Sequence, residues 1–364
     1  MAYLWRGRNA LGEGIHHLSE EEDIDMAGRH GKHWTMAACA LLMAAFLAVP
    51  GMAAAKTLKI GHILAPGSNQ NQALEQVFKP YVEEKTGGEI KIQVFPNEQL
   101  GHAPDQVEGV KLGSQDMFLG SQTWFAAHVE EIGVATIPFI FDDRNHLHAW
   151  VDEVLGKELQ DQLIQKANQR FVNLENKWHR GPFRVICATR PVFTPEDVKG
   201  LKLRLWPAKM IQKSWAGLGA EIHTIDFAEA YLALKQGVVE AITSPFDLVF
   251  PQKFSEVARY ITELQQFPQL ELITINEDVW KDLKPEHQQV LLDGAAAAGK
   301  WYNEQAQSRV EETIENKLLK IHNAVYIRVN RQPFVDAFRK DILPGLVEDG
   351  LVKKVWVEKV EEVK

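Results

Sequence analysis

Between Thr57 and Gly120 the apolar residues change period several times, and that rhythm restricts what this chain can fold into. Thr57-Leu-Lys-Ile-Gly-His-Ile-Leu64 alternates as a strand. Leu74, Val77, Phe78, Tyr81 and Val82 then recur at helical spacing, with Gly87-Gly88 as a stop and Pro80 expected to kink the helix. Glu89-Ile-Lys-Ile-Gln-Val-Phe95 alternates again, a helix is expected over 105–112, and a strand over 115–120. This order predicts a mainly parallel sheet covered by helices. The same rhythm restarts near residue 181, with strands expected at 184–188 and 201–205. Asp226 reads there as a helix N-cap with Glu229 three residues on, in the pattern of a capping box. Val290, Leu291, Ala295, Ala298, Trp301 and Tyr302 predict a helix over 286–318, long enough to run across both regions. At 364 residues the chain exceeds one ordinary core and suits two α/β domains.

The N-terminus carries the three parts of a secretory signal. Arg29 and Lys32 precede an apolar run from Met36 to Val49, Pro50-Gly51 break it, and Ala53-Ala54-Ala55 offers a cleavage site. The expected division is a non-structural extension at 1–25, a signal peptide at 26–55 cleaved after Ala55, and a mature chain from residue 56. The apolar run is too short to span a bilayer comfortably. Cys39 lies at its start, so lipid attachment is disfavoured. Residues 1–55 hold 4 Lys/Arg and 6 Asp/Glu, leaving 36 basic and 43 acidic residues and a net charge of −7. That balance disfavours nucleic acid as a partner. Only Cys187 remains after cleavage, so no internal disulfide forms even in an oxidising compartment.

In Leu201-Lys-Leu-Arg-Leu205 the leucines share one face of a strand, and Lys202 and Arg204 share the other. Arginine is always charged and offers a planar fork that matches a carboxylate. Taken alone, Arg204 reads more readily as a solvated strand-face charge than as an anion anchor.

The motifs around it resemble those of the solute-binding proteins of TRAP (tripartite ATP-independent periplasmic) transporters. They are Phe95-Pro-Asn-Glu-Gln-Leu-Gly101, Val110-Lys-Leu-Gly-Ser-Gln-Asp-Met117, Ile137-Pro-Phe-Ile-Phe141, Asp143-Arg-Asn-His146, Asp197-Val-Lys-Gly-Leu-Lys-Leu-Arg204, Gly217-Leu-Gly-Ala220, Phe227-Ala-Glu-Ala-Tyr-Leu-Ala-Leu-Lys-Gln-Gly237 and Ser244-Pro245. Each is weak alone; their order and spacing carry the resemblance, which spans nearly all of 57–355. It implies a two-domain α/β clamshell with a long hinge-spanning helix, closing on one organic acid. The implied partition is 56–181 plus 270–309 for domain I and 182–269 plus 310–364 for domain II. It also implies a periplasmic, monomeric receptor that delivers its ligand to small and large TRAP membrane subunits, with no enzymatic step and no cofactor.

Arg204 matches the family arginine that pairs with the substrate carboxylate, and Arg184 matches a second pocket arginine. Arg190 fits the pattern in a structural role. Phe227 resembles a family aromatic lining the pocket, with a core phenylalanine as the plain alternative. Ser121, Gln122 and Trp124 follow a parallel strand at its carboxyl end, where open α/β sheets place ligands. Trp178 and Trp206 are further candidate walls of the cleft. The family commonly has asparagine where this chain has Ser244, so a shorter hydroxyl is expected to contact the ligand there. That departure, together with the three tryptophans, favours a sugar acid or an aromatic acid over sialate, and leaves C4-dicarboxylates and 2-oxo acids as alternatives.

His146 and His148 read as helix-surface residues without metal-ligand spacing, and no metal is expected. Cys187 reads as core. Two other classes remain open: a clamshell receptor for an ABC importer or chemoreceptor, and a periplasmic enzyme. The chain offers no base–nucleophile constellation for the latter.

Overall fold

The computed structural model describes residues 55–363, so the extension and signal segment lie outside the described residues. In chain order the first region comprises β1 (Lys56–Gly61), helix α1 (69–85), β2 (Ile90–Phe95), α2 (Ala103–Leu112), β3 (Met117–Ser121), α3 (144–167), β4 (Gln169–Phe171) and β5 (Trp178–His179). The chain then crosses to β6 (Arg184–Ala188), β7 (Lys202–Leu205), α4 (Lys209–Gly217), β8 (Glu221–Thr224), α5 (Ala230–Lys235), β9 (Ala241–Pro245) and β10 (Tyr260–Glu263). It returns through β11 (Leu270–Asn276) and α6 (Pro285–Gln307), crosses again to β12 (Val325–Arg328), and ends in α7 (Lys354–Glu362).

Two six-stranded sheets result, each the centre of an α/β lobe. In lobe I the order is β2-β1-β3-β11-β4, with β5 also on β11; in lobe II it is β12-β10-β6-β9-β7-β8. The expected parallel pairing holds for β1 with β2 and β3, and for β7 with β8 and β9. In each sheet one strand runs against its neighbours: β11 against β3, β4 and β5, and β6 against β9 and β10. These two strands carry the chain away from a lobe crossing, so they enter without a helical crossover and both sheets are mixed. β3, β6, β9 and β11 are buried along their whole length, as strands covered on both faces must be.

Local chemistry accounts for three further departures. α1 runs through Pro80 because the turn before it widens: the Lys79 N–H reaches back to the Leu74 carbonyl, five residues earlier. The Asp226–Glu229 capping box does not form, since α5 begins only at Ala230 and the Asp226 carboxylate turns toward His102, 3.6 Å away. The long helix is interrupted at the crossing: α6 ends at Gln307, Arg309 leaves helical geometry at φ −120°, and helix resumes at Val310. Its apolar period continues through the break because both halves bury one face, Ala298 and Tyr302 before it and Ile314 and Leu318 after it.

His146 is a core residue rather than a surface one. Its ring accepts the Asp142 N–H at 3.1 Å, and its Nε2 lies 2.6 Å from the Val360 carbonyl of α7. Lys359 of α7 also pairs with Glu131 and Glu158, so the chain's last helix is fastened to residues 131–158.

Candidate functional site

The strand ends facing between the lobes define one cleft. From lobe I come Ile63 after β1, and Ser121, Thr123 and Trp124 at the carboxyl end of β3. Lobe II supplies Arg184 at the start of β6, Arg204 and Trp206 on and after β7, Phe227, and Thr243 and Pro245 on β9. Arg180 and Gln269 come from two of the segments that cross between lobes. β6 and β9 run antiparallel with Arg184 opposite Pro245, which brings the first residue of one strand to the last residue of the other. The space enclosed is about 20 Å3, close to that of one water molecule.

Alternation along β7 puts Leu203 and Leu205 in the core while Arg204, only 2% exposed, faces the cleft. Its Nε donates to the Ile225 carbonyl at 2.7 Å, and its guanidinium lies over the Phe227 ring with 5.4 Å from carbon to centroid. No hydrogen bond or ion pair within the described residues occupies its two terminal nitrogens. Burial pulls the Arg204 guanidinium down to about 10, and Asp226 and Glu98 pull in the opposite direction.

Arg184 is more completely held. Its Nη1 donates to Gln269 Oε1, and its Nη2 donates to the carbonyl and hydroxyl of Thr243 at 3.0 and 2.9 Å. The guanidinium sits between Trp206 and Phe267, 5.2 and 5.1 Å from their centroids. All of these acceptors are neutral. Burial pushes Arg184 well below the usual arginine range, and repulsion from Arg180 and Arg204 adds to it. Arg180 alone of the three has a carboxylate partner, its Nη1 lying 3.2 Å from Glu271.

The cleft is short of acceptors. Buried nitrogens without a hydrogen-bond partner include Nε of Arg180, Nε of Arg184 and the indole nitrogens of Trp124 and Trp206, four donors that belong to residues lining one cavity. An unmet buried donor costs roughly 1–3 kcal/mol, so this arrangement suits an occupant rich in acceptor oxygens.

Of the residues singled out in the sequence, the cleft gathers Arg204, Arg184, Ser121, Trp124, Trp206 and Phe227. Gln122, Trp178 and Ser244 do not line it. Gln122 turns inward, its Oε1 accepting the Leu270 N–H at 3.0 Å. Trp178 packs against Tyr302 with 5.7 Å between rings, and its indole donates to the Ala295 carbonyl, which leaves it deep in lobe I. Ser244 falls on the opposite face of β9 from Thr243 and Pro245, with its hydroxyl on the Pro245 carbonyl at 2.9 Å. The β9 residue with a hydroxyl that lines the cleft is Thr243, whose Oγ1 accepts from Arg184.

Arg180, Gln269 and Thr243 escaped the sequence reading. Gln269 links the lobes, since its amide donates to Ser121 Oγ at 2.8 Å while its oxygen accepts from Arg184. The available signal was position: Arg180 and Gln269 each sit beside a proline or glycine in a segment joining two strand-rich regions. No group of three His, Cys, Asp or Glu side chains among the described residues is placed to hold a metal ion. No helix among them is long and apolar enough to cross a membrane.

The model of bacterial extracellular solute-binding protein family 7 matches residues 60–345. The chain belongs to that family. It is 28% identical over 310 residues to the 2,3-diketo-L-gulonate-binding periplasmic protein of Escherichia coli, covering 85% of this chain and 93% of that one. It is 27% identical over 270 residues to a C4-dicarboxylate-binding periplasmic protein of Rhodobacter capsulatus, covering 74% and 79%. Among solved structures, a TRAP periplasmic solute-binding protein from Sulfitobacter with bound β-D-galacturonate superposes with a TM-score of 0.77 at 22% identity, covering 84% of this chain and all of that one. This family 7 chain therefore has the TRAP binding-protein fold, and the mixed sheets and crossing segments above are its architecture in this member.

Proposed function

We propose that this family 7 protein is an extracytoplasmic receptor for a small organic acid bearing one carboxylate and several hydroxyls, a sugar acid. The observation that carries the reading is the cleft's imbalance: Arg204 with both terminal nitrogens unmet, beside four further unpartnered donors. A carboxylate satisfies the Arg204 fork, and ligand hydroxyl oxygens accept from the indole and guanidinium N–H groups. An aromatic acid would supply the carboxylate but leave most of these donors unmet. With Trp178 outside the cleft, the case for a flat aromatic ligand also loses one of its walls. Two of the relatives' names support the same class, since 2,3-diketo-L-gulonate and galacturonate are sugar acids, whereas a third names a C4-dicarboxylate.

On this reading the lobes divide at 56–181 plus 270–309 and 182–269 plus 310–364. The leader ends after Ala55, and the monomeric, loaded receptor hands its acid to TRAP membrane subunits without chemical change. A cavity of about 20 Å3 is too small for a four- to six-carbon acid, so the lobes part to admit it.

A thermal-shift and calorimetry panel tests the proposal with D-galacturonate, D-gluconate, succinate, pyruvate and benzoate. Stabilisation grows as RT ln(1 + [L]/Kd), so about 3 kcal/mol is expected at one hundred times Kd. Uronate or aldonate should stabilise most and benzoate least. Silence from every acid, or a preference for benzoate, overturns the reading.

A further inference from the structure

Behind the cleft lies a buried polar cluster assembled from both lobes. Asp247 follows β9 in lobe II, whereas Gln70 opens α1 and Tyr302 lies near the end of α6, both in lobe I. The Tyr302 hydroxyl donates to Asp247 Oδ2 at 3.2 Å, and Gln70 Nε2 approaches the same oxygen at 3.4 Å. That amide also lies 3.0 Å from the Tyr302 oxygen and 3.3 Å from Glu271 Oε1. Tyr302 in turn accepts the Gly181 N–H at 3.1 Å, from the segment that crosses between the lobes. One residue earlier, Arg180 holds Glu271 and reaches the cleft wall.

Two carboxylates in a dry interior are costly unless each is paired and hydrogen-bonded. Glu271 has Arg180 beside it on its own side. Asp247 takes its side-chain donors, Gln70 and Tyr302, from the opposite lobe. Parting the lobes at this point removes both donors at once. The cluster also touches the occupant's side of the cleft, because Arg180, fixed by Glu271, is one of three buried arginines there. Their mutual repulsion is relieved by an anion between them.

We propose that Asp247, Gln70 and Tyr302 form an interlobe latch, joined to Arg180 through the Gln70–Glu271 contact, that sets how long a bound acid is retained. The latch rests on the receptor reading only for its ligand. Its geometry concerns the lobes themselves.

Two measurements on the mature chain test it. The first is stopped-flow tryptophan fluorescence with D-galacturonate as the probe acid. The second is an interlobe distance distribution from paired spin labels in the ligand-free protein. Tyr302→Phe keeps the ring against Trp178 and removes only the hydroxyl; Asp247→Ala removes the acceptor. Both should raise the dissociation rate roughly tenfold or more while association changes by less than about threefold. Both should also shift the ligand-free distribution to longer distances. Leu291→Ala, which loosens the buried face of the same helix about three turns before Tyr302, should lower the melting temperature and leave dissociation alone. If dissociation in Tyr302→Phe and Asp247→Ala stays within about twofold of the parent, and the distance distribution is unmoved, the cluster is hinge packing only and the latch is wrong. If the parent protein binds no acid, the receptor reading fails, and the distance distributions alone decide the latch.

Discussion

Arg204 and Arg184 lie on neighbouring parts of one sheet but differ in what their nitrogens still need. Arg184 is saturated by neutral oxygens except at Nε, while Arg204 keeps its terminal fork free. Arg204→Lys, which retains charge and loses the fork, should weaken acid binding by roughly 100-fold in calorimetry. Trp206→Phe preserves a ring beside Arg184 and deletes one unmet donor. It should cost about tenfold for a hydroxyl-rich acid and much less for pyruvate, measured by the same titration. Arg204 was legible in the sequence because strand alternation and a dense motif coincide on it. Arg180 was not: its role depends on Glu271, a partner 91 residues away that no local pattern reveals. Ser244 shows the reverse failure, where a motif named the right strand but the pleat gave the cleft to its neighbour Thr243.

At the scale of elements, period-two and helical patterns located β1, β2, β3, β6, β7 and α2 to within a few residues, while α3, α4 and α7 went unread. The direction of β11 was hidden, since its pairing with β3 joins segments about 150 residues apart and its sequence reads as a plain buried strand. The break at Arg309 was hidden for a related reason, an apolar stripe that outlasts the helix it marks. The packing of α6 on lobe I gives a sharp expectation. A Cβ on Gly299 would stand 2.3 Å from the Trp178 ring, whose indole is already anchored on Ala295. Gly299→Ala should destabilise the fold by about 1–3 kcal/mol, seen as a melting temperature lowered by several degrees, even though Ala favours helix. An unchanged melting temperature would mean that this contact relaxes freely.

For the whole molecule, the two buried carboxyls make stability depend on pH. Burial raises Asp247 from 3.8 to about 6 and Glu271 from 4.5 to about 7, with Arg180 opposing both shifts. A carboxyl raised on folding stabilises the native state fully below its unfolded pKa, and that contribution is lost as pH rises through the folded value. These two groups should therefore lower the melting temperature between about pH 4 and pH 8. Asp247→Asn should flatten the part of that decline below about pH 6, on the order of 1 kcal/mol, in melts across a buffer series. A slope identical to the parent's would place the titration elsewhere. A different consequence follows from Cys187, which is fully buried in β6 with its thiol pushed far above the usual range by desolvation. It is the only cysteine among the described residues, and a thiol that stays neutral and hidden reacts slowly with maleimides and methanethiosulfonates. The protein thus supplies its own silent background: cysteines introduced in pairs, one per lobe, will take up probes while the native thiol stays unlabelled.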